Sequence, residues 1–595
     1  MSPSASAYAN SDVAIISWKY PAKIPNCLGF CIQREDTSTH KLTTLPAWVG
    51  FKGQSNPDWK MKDTAIWPIQ KYSWKDLTAP KNSSYIYHII PMIGKPGALK
   101  PSTDKTLLVQ TKPVAITPGS GPIKAWFNRG ILSTQFIAHA LPKSKTGKKG
   151  PSKTELLNHI VKPGDKLRTA LAGDFISVVP SLLDRAMQEG GFCYLALYEL
   201  TDPELLGKLK AAKKSIEMIV SNADGATTST DSDGKKHSKK ILDGENKKWR
   251  AQLKKAGVTI HDRFVPSGHI GHNKFVLYCD KDSKPTAVLT GSTNWTATAL
   301  CAQSNNVILI EDADFAQAYS DYWDRLLQDT EKNDSKQGAD LRKSDTKRFQ
   351  SSDANPGVWF SPNTPKATKP AKGSVDIDND PNQPADLKDM FDAIEAAEKS
   401  ILFLEFQPGS PSVLDKILSV QQRKPSLFIR GAATDPNAIE DYNTALFHGD
   451  SALPDVYNVV AAAAIGDQFS YWESELLSAG HAIIHSKVVV VDPFTTNCKV
   501  FTGSHNHGYR ASAFNDENLL CVKGEAQLAA AYAANVIDIY DHYRFRYMLL
   551  QDGKNGKGKN LAFQGLDVVD TWQDKYFGSV GTPPVPHMTV PHPQS

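Results

Sequence analysis

A repeated pattern constrains this chain more than any other feature. The stretch "HSKVVVVDPFTTNCKVFTGSHN", His485 to Asn506, has a second copy in "HNKFVLYCDKDSKPTAVLTGSTN", His272 to Asn294. In each, a histidine and a lysine two residues apart precede an apolar run, a turn, and a second apolar run ending in Gly-Ser-x-Asn. The run Val488 to Val491 is β-branched throughout, the mark of a buried strand. On a strand, positions i and i+2 share a face, so His485 and Lys487 point the same way, as do His272 and Lys274. Histidine to glycine is 19 residues in the earlier copy and 18 in the later one, which gives the earlier hairpin one extra residue.

The similarity extends outward. "AWFNRG" at 125–130 and "VWFSPN" at 358–363 each open a unit. Each then runs through a helical pattern, an apolar strand, another helix, another strand and the signature hairpin, and closes on a long helix. Alternation of this kind predicts an α/β fold with a largely buried mixed sheet. Two such units in tandem predict a pseudo-dimer in which equivalent edges meet about an internal two-fold. The expected architecture is a β-sandwich at 1–120, a first repeat at 121–330, a linker at 331–357 and a second repeat at 358–595. Short alternating strands between Pro, Ser and Asn turns, with Trp18 and the Tyr85/Tyr87 pair inward, give the first segment a resemblance to fibronectin type III. The polar stretch at 224–240 reads as a mobile insertion.

Composition narrows the options. A chain of 595 residues exceeds what one core supports. Its net charge of +5 permits an anionic substrate without announcing a nucleic-acid protein. No run of about 18 apolar residues is present, so no membrane-spanning helix is expected. The N-terminus lacks a basic-then-apolar leader, which implies a cytoplasmic protein or one exported by another route. Seven scattered cysteines favour reduced, buried thiols; Cys27 and Cys31, four apart, lack the matching Cys/His pair of a zinc site.

The chemistry follows from the clusters. Two histidines across a cleft can divide labour, one attacking as neutral imidazole while the other, as imidazolium, protonates the leaving oxygen. Lys274, Lys487, Asn294 and Asn506 would hold the non-bridging oxygens of a phosphate. Ser292 and Ser504 would support them. No acidic cluster able to hold a metal accompanies the signatures, so neither metal nor cofactor is expected.

The paired H-x-K-x4-D and G-S-x-N signatures resemble those of the phospholipase D superfamily over roughly residues 123–550. The later copy fits fully, with Asp492 at the aspartate position; in the earlier one Cys279 stands there and Asp280 comes one residue late. The resemblance implies a structural role for that aspartate and a covalent phosphohistidine mechanism. It also implies that the acidic residue of one half orients the histidine of the other. Glu517, 32 residues beyond His485, would then serve His272, and Asn305 would support His485. On this basis His272 is expected to be the nucleophile and His485 the acid/base.

For substrate, 461–480 and the segment after Asn294 lack Lys and Arg, whereas a nuclease grips several phosphates. Phospholipid or another small diester is therefore the expected substrate, cleaved by hydrolysis or transfer, with peripheral membrane contact and a monomeric chain. Nuclease action on DNA or RNA is the alternative, since "GSTNWT" resembles nuclease-like members. A non-catalytic binding or delivery module is the second alternative. His269 and His481 read as loop histidines, and Trp295 as core.

Overall fold

The computed structural model describes residues 2–54, 56, 60–130, 153–223, 225–230, 236–241, 243–265, 268–332, 341, 355–364, 376–434, 459–461, 484–554 and 565–577. Two seven-stranded mixed sheets dominate it. In spatial order the first runs Ile123–Phe127, Asn306–Ile310, Pro285–Gly291, Lys274–Cys279, Phe192–Leu197, Ile216–Ser221 and Thr259–Arg263. The second runs Gly357–Ser361, Glu517–Lys523, Lys499–Gly503, Val488–Val491, Ser400–Glu405, Phe428–Ala433 and Val459–Ala461. The two orders are the same, element for element. In both, the first five strands pair antiparallel and the last two join in parallel.

Local chemistry explains where the elements fall. All of Val488–Val491 is buried, as a strand covered on both faces requires. Helices follow the central strands, Pro203–Ala211 in the first unit and Val413–Arg423 in the second. Asp202 caps one by accepting from the amides of Glu204 and Leu205, and Ser412 with Asp415 forms a capping box on the other. Each unit ends on a long helix, Ala313–Lys332 and Ala526–Lys554.

These closing helices cross into the opposite unit. Tyr322 stacks on Phe360 at 4.1 Å between ring centres, and Tyr532 meets Phe127 edge-on at 5.0 Å. One apolar core therefore runs through both sheets. The sheet edges are also stitched reciprocally. The His272 amide donates to Asp516 O at 2.9 Å, and the His485 amide donates to Ser304 O at 2.9 Å. Thr290 Oγ1 donates to Asn518 Oδ1 (3.1 Å) and Asn306 Nδ2 donates to Thr502 Oγ1 (2.7 Å).

The N-terminal region is all β, with a three-stranded sheet and a six-stranded one. Between them Trp18 and Tyr87 are fully buried, and Tyr87 Oη donates to Asp76 beside the Arg34–Asp76 ion pair. Cys27 and Cys31 are buried free thiols. Two features differ from the sequence reading. Part of the polar insertion pairs as an antiparallel hairpin, Gly225–Thr230 against Lys236–Ile241, the run of Thr and Ser in the first strand suiting an extended backbone. Residues 565–577, within the range given to the second repeat, pack on the N-terminal sheets. Leu566 exchanges backbone bonds with Gly50 and Lys52, and Trp572 lies against Phe30 and Tyr72.

Candidate active site

The two signature strands bring His272 and His485 face to face, with ring centres 6.5 Å apart. Both are buried, at 4% exposure. The Nδ1 of each ring faces an acceptor from the opposite half. His272 Nδ1 donates to Ser504 O at 3.1 Å and lies 3.3 Å from Glu517 Oε1. His485 Nδ1 lies 2.9 Å from Asn305 Oδ1. The Asn305 Nδ2 donates to Ala299 O, which orients the amide so that its oxygen faces the ring. The proton thus sits on Nδ1 in both rings and leaves each Nε2 lone pair available.

The lysines are placed with the same symmetry. Lys274 Nζ donates to His272 O and Lys487 Nζ to His485 O, both at 2.7 Å. An aromatic ring walls each pair: Tyr198 lies 5.3 Å from His272, and Phe406 lies 4.8 Å from His485. Gly291 and Gly503 have positive φ, and a Cβ on either would collide with the carbonyl of Asn306 or Asn518. That close approach seats the Ser-x-Asn segments. Ser292 Oγ donates to Asn305 Oδ1 and accepts from the Asn306 amide; Ser504 Oγ accepts from the Asn518 amide.

Burial sets the protonation states. It lowers His272 to about 4, with Lys274 adding to the effect and Glu517 opposing it. Burial, Lys487, Lys274 and His272 lower His485 well below the ordinary imidazole value. Lys274 falls to about 7 through burial, against the pull of Glu517 and Glu199, and Lys487 falls well below its usual range through burial and Lys274. Although burial alone would raise Glu517, the His272 ring, His505 and the Asn515 amide hold it at about 2. Near neutral pH the free site therefore contains two neutral imidazoles and an ionised Glu517. The expected imidazolium on His485 is disfavoured in the free protein, first by burial and then by the neighbouring Lys487, Lys274 and His272.

The motif aspartates diverge. Asp492 accepts from the amides of Glu398, Lys399 and Ser400 at 2.8–2.9 Å, tying the signature strand to its neighbour. Asp280 accepts from Asp282 and Lys284 within its own turn. The one-residue shift thus leaves Asp280 bonded within its own turn and the first unit without this cross-strand tie.

Several polar groups near the site escaped the sequence reading. Glu199 Oε2 accepts from Asn294 Nδ2 at 2.6 Å, and burial raises its pKa while Lys274 opposes the rise. In the second unit, His507 Nδ1 lies 2.8 Å from Glu405 Oε1, and His505 pairs with Asp386 at 3.2 Å. Glu405 and His507 are fully buried. The doubled histidine of "GSHNHG" was the available signal; Glu199 carries none beyond its place after an apolar strand. His269 contacts Phe514, Trp295 is buried core, and His481 lies outside the described residues.

Among the described residues, no three His, Cys, Asp or Glu side chains converge as a metal-binding set. Nor is any described helix long and apolar enough to cross a membrane.

Residues 181–327 match the family model described as the PLD-like domain of cardiolipin synthase. This stretch contains the first H-x-K signature and is similar to phospholipase D-like domains. No curated protein matches the chain in sequence. Among solved structures, phosphatidylserine synthase from Haemophilus influenzae Rd KW20 is 12% identical with a TM-score of 0.39, over 65% of this chain and 89% of that one. Yeast tyrosyl-DNA phosphodiesterase is 10% identical with a TM-score of 0.31, over 59% and 88%. Polyphosphate kinase from Porphyromonas gingivalis is 12% identical with a TM-score of 0.33; the match takes in 58% of this chain and 46% of the kinase.

Proposed function

We propose that the chain is a phosphodiesterase that works through a covalent phosphohistidine, and that its substrate is a phospholipid. The opposed imidazoles carry the reading. Their ring centres, 6.5 Å apart, leave room for one phosphorus between the two imidazoles, as in-line phosphoryl transfer needs.

His272 Nε2 attacks phosphorus, and the bond from phosphorus to the departing oxygen breaks. His485 gives that oxygen a proton. Because His485 is neutral in the free protein, it takes up a proton from solvent as the substrate binds: an anionic phosphate between the lysines offsets the burial and the neighbouring charges that keep the ring neutral. Lys274, Lys487, Asn294 and Asn506 hold the non-bridging oxygens. In the second half, His485 takes a proton from water or an alcohol, the new oxygen attacks phosphorus, and the P–N bond to His272 breaks. Glu517 and Asn305 act as positioning residues that keep both Nδ1 atoms protonated.

The lipid reading draws support from the weak positive charge of the cleft. Burial lowers both lysines and the ionised Glu517 faces them, which leaves little net positive charge to grip a polyanion. The test is incubation with a mixed phospholipid panel and with single- and double-stranded DNA and RNA, all in EDTA, with products read by mass. Released headgroup or a headgroup-exchanged lipid is the expected result. Cleaved nucleic acid with intact lipid would replace this substrate with the nuclease alternative, and activity restored only by a divalent ion would defeat the mechanism.

A further inference from the structure

Large exposed apolar side chains are distributed unevenly. Leu42, Trp48, Met61, Ile66, Leu77 and Leu108 lie on the N-terminal β region, and Val568 and Val569 on the tail segment packed against it. Val161 and Met187 are the others recorded among the described residues. Charge follows the same bias. Residues 1–120 contain 14 Lys or Arg and 7 Asp or Glu, a net +7 against +5 for the whole chain. The remaining 475 residues are therefore net −2.

Several of these residues share one surface. Trp48 (37% exposed) and Leu77 (61% exposed) line a cavity of about 250 Å³ with Leu45, Pro46, Trp74 and Lys71. The pairing Ala47↔Lys62 sets Lys62 beside the strand that leads into Trp48, Asn56 Nδ2 donates to both Trp48 O and Lys60 O, and Met61 (62% exposed) lies between the two lysines in the chain. Lys60, Lys62 and Lys71 are exposed beside them. Exposed Trp, Leu and Met among lysines are costly in water and have a natural partner. The apolar groups fit the boundary between headgroups and acyl chains, where Trp favours the interface, and the lysines fit anionic headgroups. A nucleic acid would satisfy the lysines but give nothing to Leu77 and Met61.

We propose that this face, formed by Trp48, Met61, Leu77, Lys60, Lys62 and Lys71, docks the protein on an anionic lipid surface. The site is separate from the histidine cleft and does not depend on what that cleft cleaves. Docking confines the catalytic units to a membrane plane and raises their effective concentration there.

The test is co-sedimentation of the full chain with phosphatidylcholine vesicles, with and without roughly 30% phosphatidylserine. Binding should be at least about tenfold tighter to the anionic vesicles and weaken as salt is raised. W48A/L77A should weaken it about tenfold or more, and K60E/K62E should abolish the preference for anionic vesicles. Both variants should turn over a soluble nitrophenyl phosphodiester at the wild-type rate, since neither touches the cleft. Failure to bind anionic vesicles, or binding unchanged in both variants, would overturn the proposal. So would equally tight duplex DNA binding that the charge-reversal variant removes and W48A/L77A leaves intact. Headgroup release is read separately, so loss of docking and loss of the lipid-substrate reading remain distinguishable.

Discussion

At the residue scale, His272 and His485 share a ring environment but differ in the acceptor behind Nδ1, a carboxylate for one and a neutral amide for the other. Removing either should abolish turnover, yet a nitrophenyl phosphodiester separates the roles, because its leaving group needs little protonation. His485→Ala should react once and stop at the phosphohistidine, with about 10²–10⁴ lost from the rate of adduct formation with ordinary substrates, whereas His272→Ala should form no adduct. Intact-mass analysis after rapid quenching decides this, and an adduct seen only in His272→Ala would exchange the two roles. Glu517→Gln should give a partial His272 defect. The pH dependence follows from the same groups. Neutral His272 is lost as pH falls through about 4, and protonated His485 is lost as pH rises past its depressed value. The profile of kcat/KM for a lipid diester, which reports the free enzyme, should peak below the ordinary imidazole value of 6.5. For the nitrophenyl diester, adduct formation should keep the acid limb and lose the alkaline one.

At the element scale, the signature hairpins were legible in the sequence because both faces of their strands are buried and their ends carry fixed polar types. What sequence spacing alone could not convey was how an aspartate one residue late would behave. Asp492 reaches across to three amides at the start of a neighbouring strand, those of Glu398, Lys399 and Ser400, whereas Asp280 turns back on its own loop. Asp492→Ala should therefore strand three amides beside a buried strand and cost about 2–4 kcal/mol, while Asp280→Ala in the exposed turn should cost under about 0.5–1 kcal/mol. Hydrogen exchange at Val488–Val491 and at Lys274–Cys279 reads the two changes locally, and equal loss of protection would contradict the difference in support. The Glu405–His507 pair was illegible for a related reason. Burial of a carboxylate depends on which strand lies beside it, and the equivalent position in the first unit is Leu197, where no such pair can form.

On the scale of the whole molecule, two sheets of one topology share a core, and the N-terminal sheets are closed by a segment from the far end of the chain. The repeat announced the first relation; the second left almost no trace, since residues 565–577 show only scattered Leu, Val and Trp with no periodicity long enough to assign. Packing supplies what pattern could not. Trp572, 4% exposed, lies 5.9 Å from Phe30 and 5.7 Å from Tyr72, and its indole N–H donates to Cys27 O at 2.9 Å. Gln573 adds bonds to the backbone N–H and C=O of Ile24. Trp572→Ala would open a large cavity and orphan a carbonyl, at a cost of about 3–5 kcal/mol to the core that contains it. That core holds none of the residues lining the histidine cleft. Calorimetry should therefore show an early transition split from the main one, with faster exchange along Cys27–Asp36, while adduct formation on His272 at ambient temperature stays at the wild-type level. A single transition shifted as a whole, with loss of the adduct, would mean that the β region and the two α/β units unfold as one body and that the tail holds the cleft together as well.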